Sequence, residues 1–264
     1  HTETGTTDQA SKDLEALIGR GIFDFPKPVG LLKKMMRIIT EPDAEDIVLD
    51  FFSGSGTLAH AVMELNAEDG GNRKWICVQL PELTGEKSEA YKAGYKTIAE
   101  IARERIRRAA KKIAEDHKDK IAQRETPLDL GFRAYVLGDS NFKKWNELVS
   151  DPEEIRTQIF DHIDPIEPGA KDEDLLTEIL LKRGISPLAK IEQHDGFVFV
   201  PDENLAISLA RNMTEELFKS MLAKNPSQII ILDVAFNNDL NLKTNLVLQS
   251  EKQNTGLEIL WCAL

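Results

Sequence analysis

One carboxylate, two glycines and three hydroxyls fall within a single short run, Asp50-Phe51-Phe52-Ser53-Gly54-Ser55-Gly56-Thr57. That set suits a small polar molecule with a cationic and an anionic end. The carboxylate can face the cation. The glycines let a ligand approach the backbone, and the N–H groups that open a helix favour an anion. The run follows the apolar stretch Ile47-Val48-Leu49 and precedes Leu58-Ala59-His60-Ala61-Val62-Met63-Glu64-Leu65. This order reads as a buried strand, a glycine turn and a helix. An α/β sheet holds nucleotide-like cofactors in such turns, at the carboxyl end of its first strand.

The wording of the turn points to S-adenosylmethionine. Asp50 is placed for the donor's ammonium, and Gly54 and Gly56 for close backbone approach. Ser55 and Thr57 are placed to cap the following helix, whose free N–H groups favour the carboxylate. Two other readings stand beside it. Gly54-Ser55-Gly56-Thr57-Leu58-Ala59 formally fits the dinucleotide pattern G-x-G-x-x-A. However, a carboxylate at Asp50 sits badly beside a pyrophosphate, and that pattern normally begins close after its strand. A purely structural glycine turn is the plainer alternative. The absence of a following Gly-Lys-Ser/Thr excludes a P-loop.

The surrounding periodicity must position this turn. Apolar spacing predicts helices over 9–18, 29–39 and 97–113, and strands over 47–49, 75–80 and 132–137. Ile22 to Pro28 reads as an extended segment, because proline disfavours the α conformation in the residue before it. The 97–113 helix sets Ile98, Ile101, Ala102, Ile106, Ala109 and Ile113 on one side and Arg103, Arg105, Arg107, Arg108, Lys111 and Lys112 on the other. That basic side reads either as a solvated face or as a phosphate-facing one. Residues 151–171, rich in acids and proline, read as a linker or boundary. Beyond them the pattern restarts. It gives helices over 175–182, 214–224 (with Thr214 as N-cap) and 239–248, and strands over 197–200, 205–209, 229–234 and 257–262.

The chain has 264 residues, 41% of them hydrophobic, and a formal charge of −12. Residues 151–264 contain 20 acids and 10 bases, so nearly all of that charge lies there. This opposes a nucleic-acid grip over the whole surface, and places any such contact in the first half or in a partner. The two cysteines, Cys77 and Cys262, read as buried free thiols. No metal-ligand spacing is visible, and His60 reads as a packed or surface residue. No apolar run is long enough for a membrane span, so a cytoplasmic setting is the expectation.

The glycine motif resembles the cofactor motif of amino-methyltransferases acting on adenine or cytosine in DNA. Phe25-Pro26-Lys27-Pro28 with Leu31-Leu32 resembles the element that precedes it in the β arrangement of those enzymes. Val78-Gln79-Leu80-Pro81-Glu82, the helix with Ala102 and Arg105-Ile106, and Asp139-Ser140-Asn141-Phe142-Lys143 with Trp145 narrow the likeness. Together they resemble the modification subunit of type III restriction-modification systems. Residues 175–184, Asp233 to Phe236 and Leu242-Lys243-Thr244-Asn245 resemble its C-terminal domain.

The resemblance implies N6-adenine methylation of a short DNA site with S-adenosylmethionine as donor, the target base being flipped from the duplex. It implies three partners: DNA, another modification subunit, and a helicase–nuclease restriction subunit. It also implies a catalytic Asp-Pro-Pro-aromatic string upstream of the glycine motif. This chain has none; Asp151-Pro152-Glu153-Glu154 and Asp164-Pro165-Ile166-Glu167 do not fit. The expectation is therefore the C-terminal, cofactor-binding part of a longer subunit. Residues 1–150 would form a partial Rossmann-like α/β methyltransferase sheet, and 151–264 a small α/β assembly domain. The implied donor contacts are Lys27 and Pro28, Asp50 through Thr57 (Phe51, Phe52 and Ser53 included), and Gln79 or Glu82 for the ribose. Lys27 and Glu82 each also read as solvent-facing.

Overall fold

The computed structural model describes residues 4–161 and 164–260. The chain divides into two compact units, His1–Ala134 and Tyr135–Leu264.

The first unit runs α1 (Thr7–Ile18), α2 (Val29–Ile39), β1 (Ile47–Asp50), α3 (Thr57–Asp69), β2 (Lys74–Cys77), α4 (Glu89–Lys92), α5 (Ile98–Asp116) and α6 (Lys118–Ala122). Its strands β1 and β2 pair in parallel, Ile47 with Lys74 through Asp50 with Cys77, and α3 crosses between them. Leu58, Ala59, Ala61, Val62, Met63 and Leu65 of α3 are all buried, so the helix is apolar on nearly every side. A helix of that kind must be enclosed. On one side Leu58, Ala61, Val62 and Leu65 meet Met36 of α2. On another, Ala59, Met63 and Ala67 meet Ile106, Ala109 and Ile113 of α5. Val48, Trp75 and Cys77 of the strands complete the enclosure.

The alternation of the pleat sends the remaining strand side chains the other way. Ile47, Leu49, Ile76 and Val78 are 62, 46, 49 and 45% exposed. A parallel sheet ordinarily has both faces covered. Here one face is packed and the other is bare.

Polar groups lock the same helix. Lys33 of α2 reaches Glu64 at 3.0 Å and Glu68 at 2.5 Å, and Arg37 reaches Glu68 at 2.7 Å. Arg73, 4% exposed, ties the far end together: its Nε donates to Thr40 Oγ1 at 2.7 Å and its guanidinium meets Asp69 at 3.0 Å. Thr97 and Glu100 form a capping box at the start of α5.

The second unit runs α7 (Pro152–Asp161), α8 (Asp172–Lys182), β3 (Glu192–His194), β4 (Phe197–Val200), β5 (Leu205–Ser208), α9 (Glu215–Leu222), β6 (Gln228–Leu232), α10 (Leu240–Lys252) and β7 (Gly256–Leu260). The strands form one sheet in the order β3-β4-β5-β6-β7, antiparallel from β3 to β5 and parallel from β5 to β7. Leu175, Ile179 and Leu180 of α8 cover one face, against Val200, Leu205, Ile207, Ile230 and Leu232. Phe218 and Met221 of α9 and Leu246 of α10 cover the other, against Phe199, Ala206, Ile229 and Ile231. Both faces of this sheet are therefore filled. The whole is mixed α/β, as the alternation of apolar patterns implies.

Several local expectations change. The run at 47–49, expected to be a buried strand, is half exposed in β1, and the strand expected over 75–80 ends at Cys77. Residues 132–137 form no strand. Phe132 packs beside Trp75, while Val136 and Leu137 are 86 and 101% exposed, with no neighbouring ladder to pair with. Residues 152–161, within the supposed linker, form α7, because Asp151 accepts from the N–H groups of Glu153 and Glu154 and Pro152 opens the first turn. The segment before α2 is not extended throughout: Phe25 takes φ 52°. Arg105 leaves the basic side of α5 and is buried. Cys77 is a free, half-buried thiol, and Cys262 lies outside the described residues.

Glu64 supplies a test of the α2–α3 lock. The hydrogen bond from His60, and after it Lys33, holds its carboxyl down at about 2 against an ordinary 4.5. A depressed carboxyl stabilises the fold above its unfolded value and loses that contribution as pH falls toward the folded one. Urea unfolding of wild type and Glu64→Gln should therefore show a stability gap that is constant above about pH 5.5 and closes as the pH falls toward about 2. A gap independent of pH would contradict the assignment.

Candidate functional site

The glycine run leaves β1 at Asp50, whose backbone oxygen accepts Val78 N–H at 2.8 Å. The Asp50 carboxylate turns back to accept Phe52 N–H at 3.1 Å, which fixes the exit from the strand. Ser53 N–H donates to Val78 O at 3.1 Å, and Gly56 N–H to Ser53 O at 2.8 Å. The chain thus folds over the end of β2 before α3 starts. Gly54 has φ 51° and Gly56 φ 75°, a region where a side chain is strained.

Each glycine is also needed for packing. A Cβ on Gly56 would lie 3.3 Å from the Cδ1 and Cγ1 atoms of Ile106 and 3.4 Å from Ala102 Cβ. One on Gly54 would meet Phe23 Cζ at 3.3 Å. The turn therefore rests on α5 and on the segment before α2.

The hydroxyls do something other than cap. The N-cap of α3 is Gly56, with no side-chain capping bond. Ser55 Oγ and Thr57 Oγ1 instead accept from Arg105 Nη1 at 2.7 and 2.6 Å. Arg105 is 3% exposed, and burial pushes its guanidinium down to about 10.

Gln79 faces the turn: its Oε1 accepts Gly54 N–H at 2.7 Å, and its Nε2 donates to Leu80 O at 3.3 Å. Glu82 is solvent-exposed, while its backbone is pinned by Ile98 N–H at 3.0 Å. Phe51 and Phe52 are 64 and 80% exposed and so lie outside the core. Lys27 is exposed, and Pro28 is the N-cap of α2. From that segment it is Phe23 that reaches the turn.

His60 lies one turn into α3, within 3.4 Å of Glu64. Its pKa is lowered, first by burial, opposed by the hydrogen bond to Glu64, with the Arg105 charge adding to the lowering. Among the described residues no group of three or more His, Cys, Asp or Glu side chains could hold a metal. Among them, too, no helix is long and apolar enough to cross a membrane.

The sequence pattern missed Phe23 and Arg105. For Arg105 a signal existed. It sits four residues after Ile101 and three after Ala102, which is the buried stripe of α5 and not its opposite.

The basic face of α5 is partly neutralised in place. Glu104 meets Arg108 at 2.7 Å and Arg107 at 3.8 Å, and Glu100 lies 4.0 Å from Arg103. Such a face is mostly a solvated one.

Residues 3–111, which contain the whole turn and its supports, match the family described as DNA methylase. The wider chain is related to modification subunits of type III restriction-modification enzymes. It is 46% identical to the StyLTI Mod subunit of Salmonella typhimurium over 54% of this chain and 21% of that protein. It is 31% identical to the EcoP15I Mod subunit of Escherichia coli over 82% and 32%, and 29% identical to the EcoPI Mod subunit of Escherichia phage P1 over 96% and 38%. The chain thus spans less than two fifths of the length of these relatives.

The packing of the turn is open to test. Gly56→Ala forces a left-handed residue against Ile106 and should destabilise the first unit by about 1–3 kcal/mol. Urea unfolding followed by the fluorescence of Trp75, with Trp145 and Trp261 replaced by Phe in both proteins, would measure it; an unchanged midpoint would contradict the packing described.

Proposed function

We propose that this chain is the C-terminal, donor-binding portion of a site-specific DNA N6-adenine methyltransferase subunit of the type III class. The observation that carries this reading is the Asp50–Thr57 turn at the end of a parallel strand, inside the segment that matches DNA methylases. When bound, S-adenosylmethionine supplies the methyl group. In this reading the Asp50 carboxylate faces the donor's ammonium. The N–H groups that open α3 take its carboxylate end. Gln79, already oriented by Gly54, offers an amide to the ribose, with Glu82 the alternative three residues on. Lys27, Pro28 and the exposed Phe51 and Phe52 border the methionine and adenine ends.

The bare face of β1 and β2 supports a partial Rossmann-like sheet, completed by the part of the subunit that carries the Asp-Pro-Pro-aromatic string and reads DNA. The length of the relatives supports the same view. The acidic balance agrees, since phosphate and base contacts require basic groups in that other part.

For residues 151–264 we propose an assembly role, docking a second modification subunit or the helicase–nuclease restriction subunit. The observation favouring it is a sheet filled on both faces by its own helices, with no need of the donor turn for its core.

Calorimetric titration with S-adenosylmethionine tests the first role. Wild type should bind, and Asp50→Ala should weaken binding about tenfold or more, equivalent to about 1.4 kcal/mol. No heat up to about 1 mM donor, a range corresponding to roughly 4 kcal/mol of binding, would reject the donor site. Radiolabelled methyl transfer to DNA should be absent with this chain alone and present with the full subunit. Turnover by the pure chain would overturn the division of labour.

A further inference from the structure

Among the described residues no carboxylate touches the buried cation Arg105. Among the described residues its hydrogen-bond partners are the hydroxyls of Ser55 and Thr57, and its Nε is buried without one. The charge of Asp13 works against the effect of burial, and among the described residues the two side chains form no ion pair. Taking a guanidinium out of water without a counter-ion costs several kcal/mol. A neutral side chain of similar length would fill the space between α5 and the turn without that cost. Anchoring alone therefore does not account for a charge at this position.

Where the charge lies matters. The two accepting hydroxyls flank Gly56, the residue at which α3 begins. The thirteen-residue α3 carries its own partial positive charge at that end. The guanidinium sits directly beneath it, shielded from solvent, so the two fields add on the outer side of the turn. Charge that is buried on one side and unneutralised is felt most strongly by whatever covers the other side.

We propose that Arg105 is a positioning residue of the donor site: it holds Ser55 and Thr57 from beneath and gives the turn the positive field that receives a carboxylate end. This rests on the donor-binding reading of the turn. It adds that the amino-acid end, and not only the adenosine end, is selected by a group that never touches the ligand.

The test uses two ligands that share adenosine and a sulfur atom. S-adenosylhomocysteine has the carboxylate; 5′-methylthioadenosine lacks the amino-acid end. Affinities are measured by calorimetry for wild type, Arg105→Met and Arg105→Lys, with melting curves alongside. Arg105→Met should weaken S-adenosylhomocysteine about tenfold while changing 5′-methylthioadenosine less than about twofold. Arg105→Lys keeps the charge and should retain the preference at neutral pH. A buried lysine titrates low, so that preference should fade as pH rises in Arg105→Lys and stay flat in wild type. This pH profile decides the matter should Arg105→Met fail to fold. Equal losses for both ligands, or a preference in Arg105→Lys that follows wild type up to the pH where a buried lysine is neutral, would overturn the proposal and leave Arg105 a fold anchor. Wild type that binds neither ligand would overturn the donor reading itself, and this proposal with it.

Discussion

The contact between Gly56 and the Ala102–Ile106 step of α5 governs the first unit. It brings the start of α3 so close to α5 that a Cβ would fit only if Ile106 gave way by a few tenths of an ångström. That approach sets the direction of α3, and α3 is the element on which α2, α5 and both strands pack. The same closeness puts the side chain of Arg105 within reach of the two hydroxyls beside Gly56. Turn geometry, helix packing and local charge therefore share one origin. A side chain at this step would have to displace Ile106 slightly and adopt a left-handed backbone.

The polar side of the unit follows the same logic. Lys33 and Arg37 meet Glu64 and Glu68 because α2 lies along α3, and Arg73 gathers Thr40 and Asp69 because the far ends of those helices converge. Several of these side chains are largely buried, so their pairing fixes geometry more than it adds stability. The second unit reaches its order differently. Its sheet is filled by α8 on one side and by α9 and α10 on the other, with apolar contacts across both faces.

Much of this was legible in the residues. The strand–turn–helix around Asp50 and Gly54 shows in the change from a short apolar run to helical spacing, and the restart of strand and helix patterns after residue 171 corresponds to α8 through β7. Thr214 caps α9 as its side chain allows, accepting an N–H three residues on, while Asp239, read as the first residue of its helix, is the cap of α10. What escaped had specific causes. Residues 132–137 have strand composition, but a strand exists only where a partner offers a ladder, and composition does not show partners. Asp151 and Pro152 look like linker residues, and they are equally good helix openers. Ser55 and Thr57 look like caps, and a cation fifty residues away claims their oxygens first. Arg105 escaped because an arginine is assumed to point at water, although its position in the helical repeat says otherwise.

One sulfur atom lies close to all of this. Burial, with the Asp50 charge adding to it, pushes the Cys77 thiol up to about 11, against smaller opposing hydrogen bonds to Ala59 and Ser53. At neutral pH the atom keeps its proton, and a protonated thiol is a poor nucleophile. An electrophile seated on the turn would thus have an inert neighbour, and the sheet can carry a cysteine there without offering a competing acceptor for alkyl groups.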